Sequence, residues 1–151
     1  MPYIGGARPA TGCVFCLARD GADDRVSLVL RRGEHAFLIL NTFPYAPGHV
    51  MAVLNRHVGS FVDVRADELA DAMRLAQRAV AALAAEYRAE GFNIGLNQGR
   101  VAGAGIADHL HVHVVPRWNG DHNFFSVIGE GRVLPEDLGT TWERLRGHLG
   151  D

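Results

Sequence analysis

The sequence contains no lysine; all fifteen of its basic residues are arginine. No lysine amine is therefore available as a nucleophile or Schiff-base former. Cysteine is almost as scarce, with two residues, both within Cys13-Val14-Phe15-Cys16. That count is too low for a disulfide scaffold, and in a reducing compartment so close a pair reads as half of a metal site or as a redox pair. Strong charge of one sign is missing as well. The net charge of −2 leaves no overall field to hold nucleic acid. No apolar run is long enough to cross a membrane, and the N-terminus has no basic-then-apolar leader pattern. The expected compartment is the cytoplasm, with no membrane partner. Neither an internal repeat nor a linker is visible.

What remains is an ordinary globular composition, 48% hydrophobic and 21% charged over 151 residues. Such a length suits one domain with a real core, taken as residues 1–151. Val26–Leu30 and Ala36–Leu40 read as a β-hairpin with Gly33 in the turn. Asn41–Gly48 is dense in turn formers, and His49–Leu54 is a further strand. From Asp67 to about Glu90, residues Leu69, Ala72, Met73, Ala76, Val80, Leu83 and Tyr87 recur at helical spacing, and Gly91 ends the run. Phe92–Asn97 reads as a strand and Gly99–Ala107 as a glycine-rich loop. Pro116 closes the strand His109–Val115, and the tail, with Phe124, Phe125 and Trp142, is expected to end in a helix over Thr141–Leu149. Short turns favour antiparallel pairing, so the expectation is an α+β domain: a meander-like antiparallel sheet, one long helix over one face, and a short C-terminal helix.

The chemistry concentrates in His109-Leu110-His111-Val112-His113-Val114-Val115. Alternate strand residues project to opposite faces, so the three imidazoles share one face while Leu110, Val112 and Val114 pack behind them. Imidazole is neutral or charged near pH 7, attacks electrophiles and binds metals. A neutral central His111 suits attack on phosphorus. Just upstream, Gly99-Arg100-Val101-Ala102-Gly103-Ala104-Gly105-Ile106 offers backbone N–H groups to phosphate oxygens. The rival reading makes the three imidazoles a catalytic zinc site with an open position. Cys13 and Cys16 also need two further ligands to close a tetrahedral zinc, for which His57 and a member of the triad are available. A redox role for the pair lacks a thioredoxin-like context.

The His-φ-His-φ-His-φ-φ pattern resembles the histidine triad (HIT) family of nucleotide hydrolases and transferases. Phe37–Asn41, Pro47–Met51, Arg56-His57 and Gly91–Asn97 are similar to further family landmarks, so the likeness covers roughly residues 13–118, with 119–151 as a C-terminal extension. The resemblance implies a HIT-like fold and a homodimer joined sheet edge to edge. It implies nucleotidyl transfer from a dinucleoside polyphosphate, with His111 as nucleophile, His113 on the α-phosphate oxygens, His49 orienting the site and Gln98 near the leaving oxygen. Asn41 would bind the ribose, Phe37 and Ile39 would line the base pocket, and Gly105 and Ile106 would offer backbone donors. A zinc-bearing bacterial branch uses residues matching Cys13, Cys16, His57 and His109 as ligands, which implies one structural zinc per chain. The stretch Val115–Phe124 followed by Arg132–Glu136 is similar to the bacterial group that includes diadenosine tetraphosphate phosphorylases, with Arg132 as a polyphosphate contact. One departure stands out: Ala104-Gly105-Ile106 occupies a place where several relatives carry a hydroxyl side chain. Two other functions remain open beside this one, a metallohydrolase with zinc at the triad and a nucleotide-binding protein with little turnover.

Overall fold

The computed structural model describes residues 12–121 and 136–150. Phe124, Phe125, Arg132 and the N-terminal arm fall outside those residues. In chain order the elements are α1 (Val14–Asp20), β1 (Val29–Arg32), β2 (Ala36–Leu40), β3 (Val50–Leu54), α2 (Ala66–Tyr87), β4 (Gly91–Gly95), β5 (His111–Arg117) and α3 (Leu138–Leu149). The five strands form one antiparallel sheet in the order β1-β2-β3-β5-β4. The α+β expectation holds. The meander holds only through β3, because β5 returns to lie between β3 and β4.

Period-two alternation divides the sheet into two faces. Leu38, Leu40, Val50, Ala52, Leu110, Val112 and Val114 point to one side and form the main core beneath α2 and α3. Phe37, Ile39, Met51 and Val53 point to the other, where Phe15 of α1 covers them. The triad histidines lie on this second face. Both Met51↔His113 and Val53↔His111 are cross-strand partners, so the imidazoles are set among apolar side chains.

Helix α2 buries Ala72, Leu75, Ala76, Ala79, Ala82 and Leu83. These mostly small residues let the helix lie close on the sheet. The stripe is rotated from the expected one, and Met73 faces solvent. The helix ends at Arg88 in the left-handed region (φ 51°), not at Gly91, which begins β4. Trp118 Nε1–H satisfies the freed Tyr87 carbonyl at 3.1 Å. Helix α3 starts earlier than expected, capped by Asp137, whose carboxylate accepts from the Gly139 and Thr140 amides. Its Trp142 Nε1–H reaches the Val29 carbonyl, which ties the C-terminal helix to β1.

Three expectations about strand ends are corrected. Val26–Leu28 are turns, because Asp23 Oδ1 accepts from the Arg25 and Val26 amides and Leu28 takes φ 60°, so β1 begins at Val29. Strand β5 runs from His111 through Pro116 to Arg117. Beyond Val114 only β4 flanks it, so one side of the chain needs no ladder hydrogen bond and proline is tolerated. β4 is Gly91–Gly95 and stops short of Leu96 and Asn97. Helix α1, unexpected from the sequence, carries both cysteines to the triad face. Among the described residues no helix is long and apolar enough to cross a membrane.

Candidate nucleotide-transfer and metal site

Two turns deliver the side chains. The 41–49 loop is tied by Phe43 N–H to Asn41 Oδ1 (2.9 Å) and by Asn41 N–H to the His49 carbonyl (3.0 Å). It brings the fully buried His49 against β5. The 55–60 segment approaches residues 107–108 so closely that Gly59 has no room for a Cβ, and it carries His57 to the cysteines.

The backbone partners settle the proton position on each imidazole. His111 Nδ1 lies 2.8 Å from the His109 carbonyl, which can only accept. The proton is therefore on Nδ1, and the Nε2 lone pair is free to attack. Burial lowers the His111 pKa, so the ring is neutral near pH 7. His49 Nδ1 accepts from the Tyr45 amide at 3.0 Å, with Asn41 Nδ2 also 3.3 Å away. A neutral His49 thus carries its proton on Nε2 and donates it to His113 Nδ1, 2.9 Å away. His113 then has Nε2–H as its own donor. Burial, with His111 beside it, pushes the His113 pKa down to about 4. The result is a neutral ring with an open Nε2 lone pair beside a neutral, oriented donor.

His109 is oriented the other way. Its Nε2–H donates to the Leu54 carbonyl at 2.7 Å, which leaves the Nδ1 lone pair facing the cysteines. Nδ1 lies 3.3 Å from Cys13 Sγ and 3.7 Å from Cys16 Sγ, and His57 Nδ1 lies 3.4 Å from Cys16 Sγ. All four donor atoms fall within 4.8 Å of one another. Ordinary Zn–S and Zn–N bond lengths place tetrahedral N and S ligands about 3.5 Å apart. The donor set and its spacing therefore fit a closed structural metal site. His111 and His113 are not part of this group.

The remaining expected residues are dispersed around this centre. Phe37 is 1% exposed and Ile39 7%, both packed with Phe15. Asn41 is buried, and its side chain is engaged with Phe43 and His49. Gln98 is exposed, and its Oε1 accepts from the Phe61 amide at 2.8 Å, so its NH2 end is the one left to present. Gly105 is exposed, while Ile106 packs against the cluster around Phe37.

The sequence reading missed three contributors. Tyr45 sets the His49 tautomer through its amide, and its ring stacks on His113 (centroids 5.8 Å, 24° between planes). Asp108 Oδ2 lies 3.7 Å from His57 Nε2. Phe15 touches both His109 and His111. Only Phe15 had a sequence signal, as an aromatic residue inside the Cys-X-X-Cys segment.

The HIT domain family model matches residues 24–120, well over half of the chain. The chain belongs to the histidine triad family. The matched region leaves out Cys13 and Cys16 and takes in His57 and His109. The chain is 45% identical over 118 residues to the AP-4-A phosphorylase of Mycobacterium tuberculosis, covering 78% of this chain but only 60% of that protein. It is 30% identical over 135 residues to an uncharacterized HIT-like protein of Methanocaldococcus jannaschii, covering 89% of this chain and 99% of that one. A solved Zn-bound histidine triad family protein from Mycobacterium smegmatis superposes with a TM-score of 0.75 at 28% identity, covering 91% and 92% of the two chains.

Proposed function

We propose that this HIT protein is an enzyme that cleaves dinucleoside polyphosphates of the diadenosine tetraphosphate kind by nucleotidyl transfer through His111. The observation that carries the reading is the pairing of tautomers, a free Nε2 lone pair on His111 beside a donor on His113. The likeness to a named AP-4-A phosphorylase supports the substrate class.

In the first step the His111 Nε2 lone pair attacks the α-phosphorus. An N–P bond forms, and the bond from phosphorus to the bridging oxygen breaks, with its electron pair leaving on the polyphosphate. The positive charge on the nucleotidyl-imidazole is shared through Nδ1–H with the His109 carbonyl. His113 Nε2–H donates to a non-bridging oxygen, and the Gly105 and Ile106 amides with the Gln98 NH2 group stabilise the leaving side. Phe37 and Ile39, packed with Phe15, form the apolar layer behind the base pocket, and Asn41 meets the ribose with the hydrogen-bonding capacity its loop contacts leave over. In the second step an oxygen of inorganic phosphate or water attacks phosphorus and the N–P bond breaks, returning the lone pair to His111.

Zinc is the metal we assign to Cys13, Cys16, His57 and His109, one per chain. When bound it supplies a structural crosslink between α1 and the triad strand. The reading further takes the chain as one HIT domain that acts in the cytoplasm, where the thiols stay reduced, as a homodimer joined through sheet edges. The metallohydrolase alternative has no support in the geometry, because the four-donor group takes in only the first triad histidine.

The test is incubation with diadenosine tetraphosphate, with and without inorganic phosphate. ADP plus ATP only with phosphate identifies a phosphorylase, and AMP plus ATP in either case identifies a hydrolase. His111→Ala is expected to lose at least about 1,000-fold in turnover with a native circular dichroism spectrum. Retained turnover in that variant, or tight nucleotide binding with no trapped adduct in the wild type, overturns the mechanism.

A further inference from the structure

We propose that Phe15, carried between the two metal-site cysteines, is the positioning residue that holds the His111 ring in its single tautomer and orientation. Filling the metal site and aligning the nucleophile then form one linked equilibrium. The inference rests on the reading of His111 as the nucleophile.

Phe15 is 3% exposed. Its ring centroid lies 4.9 Å from that of His111 and 5.4 Å from that of His109, the latter edge-on at 80°. His113 lies 4.8 Å from His111 at 70°. Two rings thus pack against His111. The packing matters because a half-turn of the imidazole would exchange Nδ1 with Cδ2, so a C–H would face the His109 carbonyl, Nδ1–H would lose the acceptor that fixes its proton, and Nε2 would move to the place Cε1 holds. In a close-packed interior that rotation needs the neighbouring rings to move.

Of the two rings, Phe15 is the one carried between the two cysteines of the four-donor group. Helix α1 has seven residues, too few to hold itself in water, and Cys13 at its start makes no side-chain cap. Phe15 is its one buried residue. Among the described residues its other ties include the half-buried Ala18, which packs against the same apolar cluster, Arg19 Nη1 to the Asn55 carbonyl, and Arg32 to the Arg19 and Ala18 carbonyls. Ligation through Cys13 and Cys16 clamps the chain on both sides of Phe15. His109 joins the same circuit twice, since its side chain is a ligand and its carbonyl receives the His111 proton.

The test uses long-range proton–nitrogen NMR of the imidazoles, which distinguishes Nδ1–H from Nε2–H without any turnover. Zinc-loaded wild type is compared with Phe15→Leu and with wild type stripped by a chelator at a temperature where the helical circular dichroism is unchanged. Zinc content and Tm are measured alongside. The expected result is one Nδ1–H tautomer for His111 in the loaded wild type and a mixture in the stripped protein. Phe15→Leu is expected to keep one zinc per chain, show the mixture, and form the nucleotidyl adduct about tenfold more slowly in a single turnover. A single tautomer in zinc-loaded Phe15→Leu, or in the stripped wild type, overturns the proposal. So does loss of zinc by Phe15→Leu, which would make Phe15 only a part of the metal site's framework. Failure of the wild type to form any adduct would count against the proposed function and leave the tautomer result standing.

Discussion

Gly48 offers the most quantitative test of how the fold delivers the site. It precedes His49 and has φ +80°. A Cβ there would lie 2.6 Å from Leu83 Cδ2, with Pro116 Cγ at 3.7 Å and Tyr87 Cδ2 at 3.8 Å. Gly48→Ala therefore incurs two separable costs. Backbone strain at positive φ amounts to about 1–2 kcal/mol. Pushing a methyl group against the fully buried Leu83 adds about 1–3 kcal/mol. Stiffening of the unfolded chain returns about 0.4–1 kcal/mol, so the net destabilisation is about 1–5 kcal/mol. A double-mutant cycle separates the terms. Leu83→Ala alone costs about 2–5 kcal/mol, but it opens the space that the new methyl would enter. In that background Gly48→Ala retains only the strain cost. Urea unfolding of the four proteins at constant zinc, with unchanged m-values, reads out the difference. Equal costs of Gly48→Ala in the two backgrounds, or a cost below about 0.5 kcal/mol in the wild type, refute the steric reasoning.

Two further outcomes follow from the same geometry. A Cβ on Gly59 would lie 2.8 Å from Asp108 Cα and 2.9 Å from the Ala107 carbonyl oxygen, so Gly59→Ala forces the His57 loop away from His109. Zinc affinity by chelator competition should fall about 10- to 100-fold, and an unchanged affinity contradicts the close approach. The bonds that Arg56 donates to the buried Glu68 hold that carboxyl down at about 2, from an ordinary 4.5. A depressed folded-state value means the stabilisation is complete above 4.5 and lost as pH falls toward 2. The stability gap between wild type and Glu68→Gln in urea melts should therefore shrink across that window, and a pH-independent gap rejects the pairing.

The core was legible where local pattern and burial agree. Alternation across the triad put Leu110, Val112 and Val114 on the core face, and the continuous apolar run Ala36–Leu40 was legible as a strand. Helix α1 left no such trace. With one buried residue in seven it has no apolar period, and it is held by contacts to His57 and His109 from residues more than forty positions away. The insertion of β5 between β3 and β4 was invisible for a related reason, since strand order is decided by long-range pairing. At Val26–Leu28 the apolar side chains suggested a strand, but Asp23 took the amides that a ladder would have needed. In the site, the residue types of the triad and the cysteine pair were plain from spacing, and the family resemblance pointed to His57 and His109 as the two residues that lie beside the cysteines. What the sequence could not show was tautomer. That depends on which backbone groups face each ring, and the Leu54 carbonyl and Tyr45 amide come from other strands and loops.

Tautomer also explains why so much imidazole is placed in an apolar setting. Burial disfavours the charged ring, and both tasks proposed for this face, metal ligation and nucleophilic attack, need the neutral one. A neutral imidazole still has one N–H to satisfy, and leaving it unpaired in the interior would be costly. Each backbone carbonyl that satisfies an N–H therefore also chooses which nitrogen keeps its lone pair: the Leu54 carbonyl leaves it on Nδ1 of His109, facing the cysteines, and the His109 carbonyl leaves it on Nε2 of His111. The same alternation that puts Leu110, Val112 and Val114 in the core keeps these rings aligned. A one-residue slip of β5 would bury the wrong set on both faces at once. Selection for a stable core and selection for this chemistry thus act on a single register, Met51↔His113 and Val53↔His111.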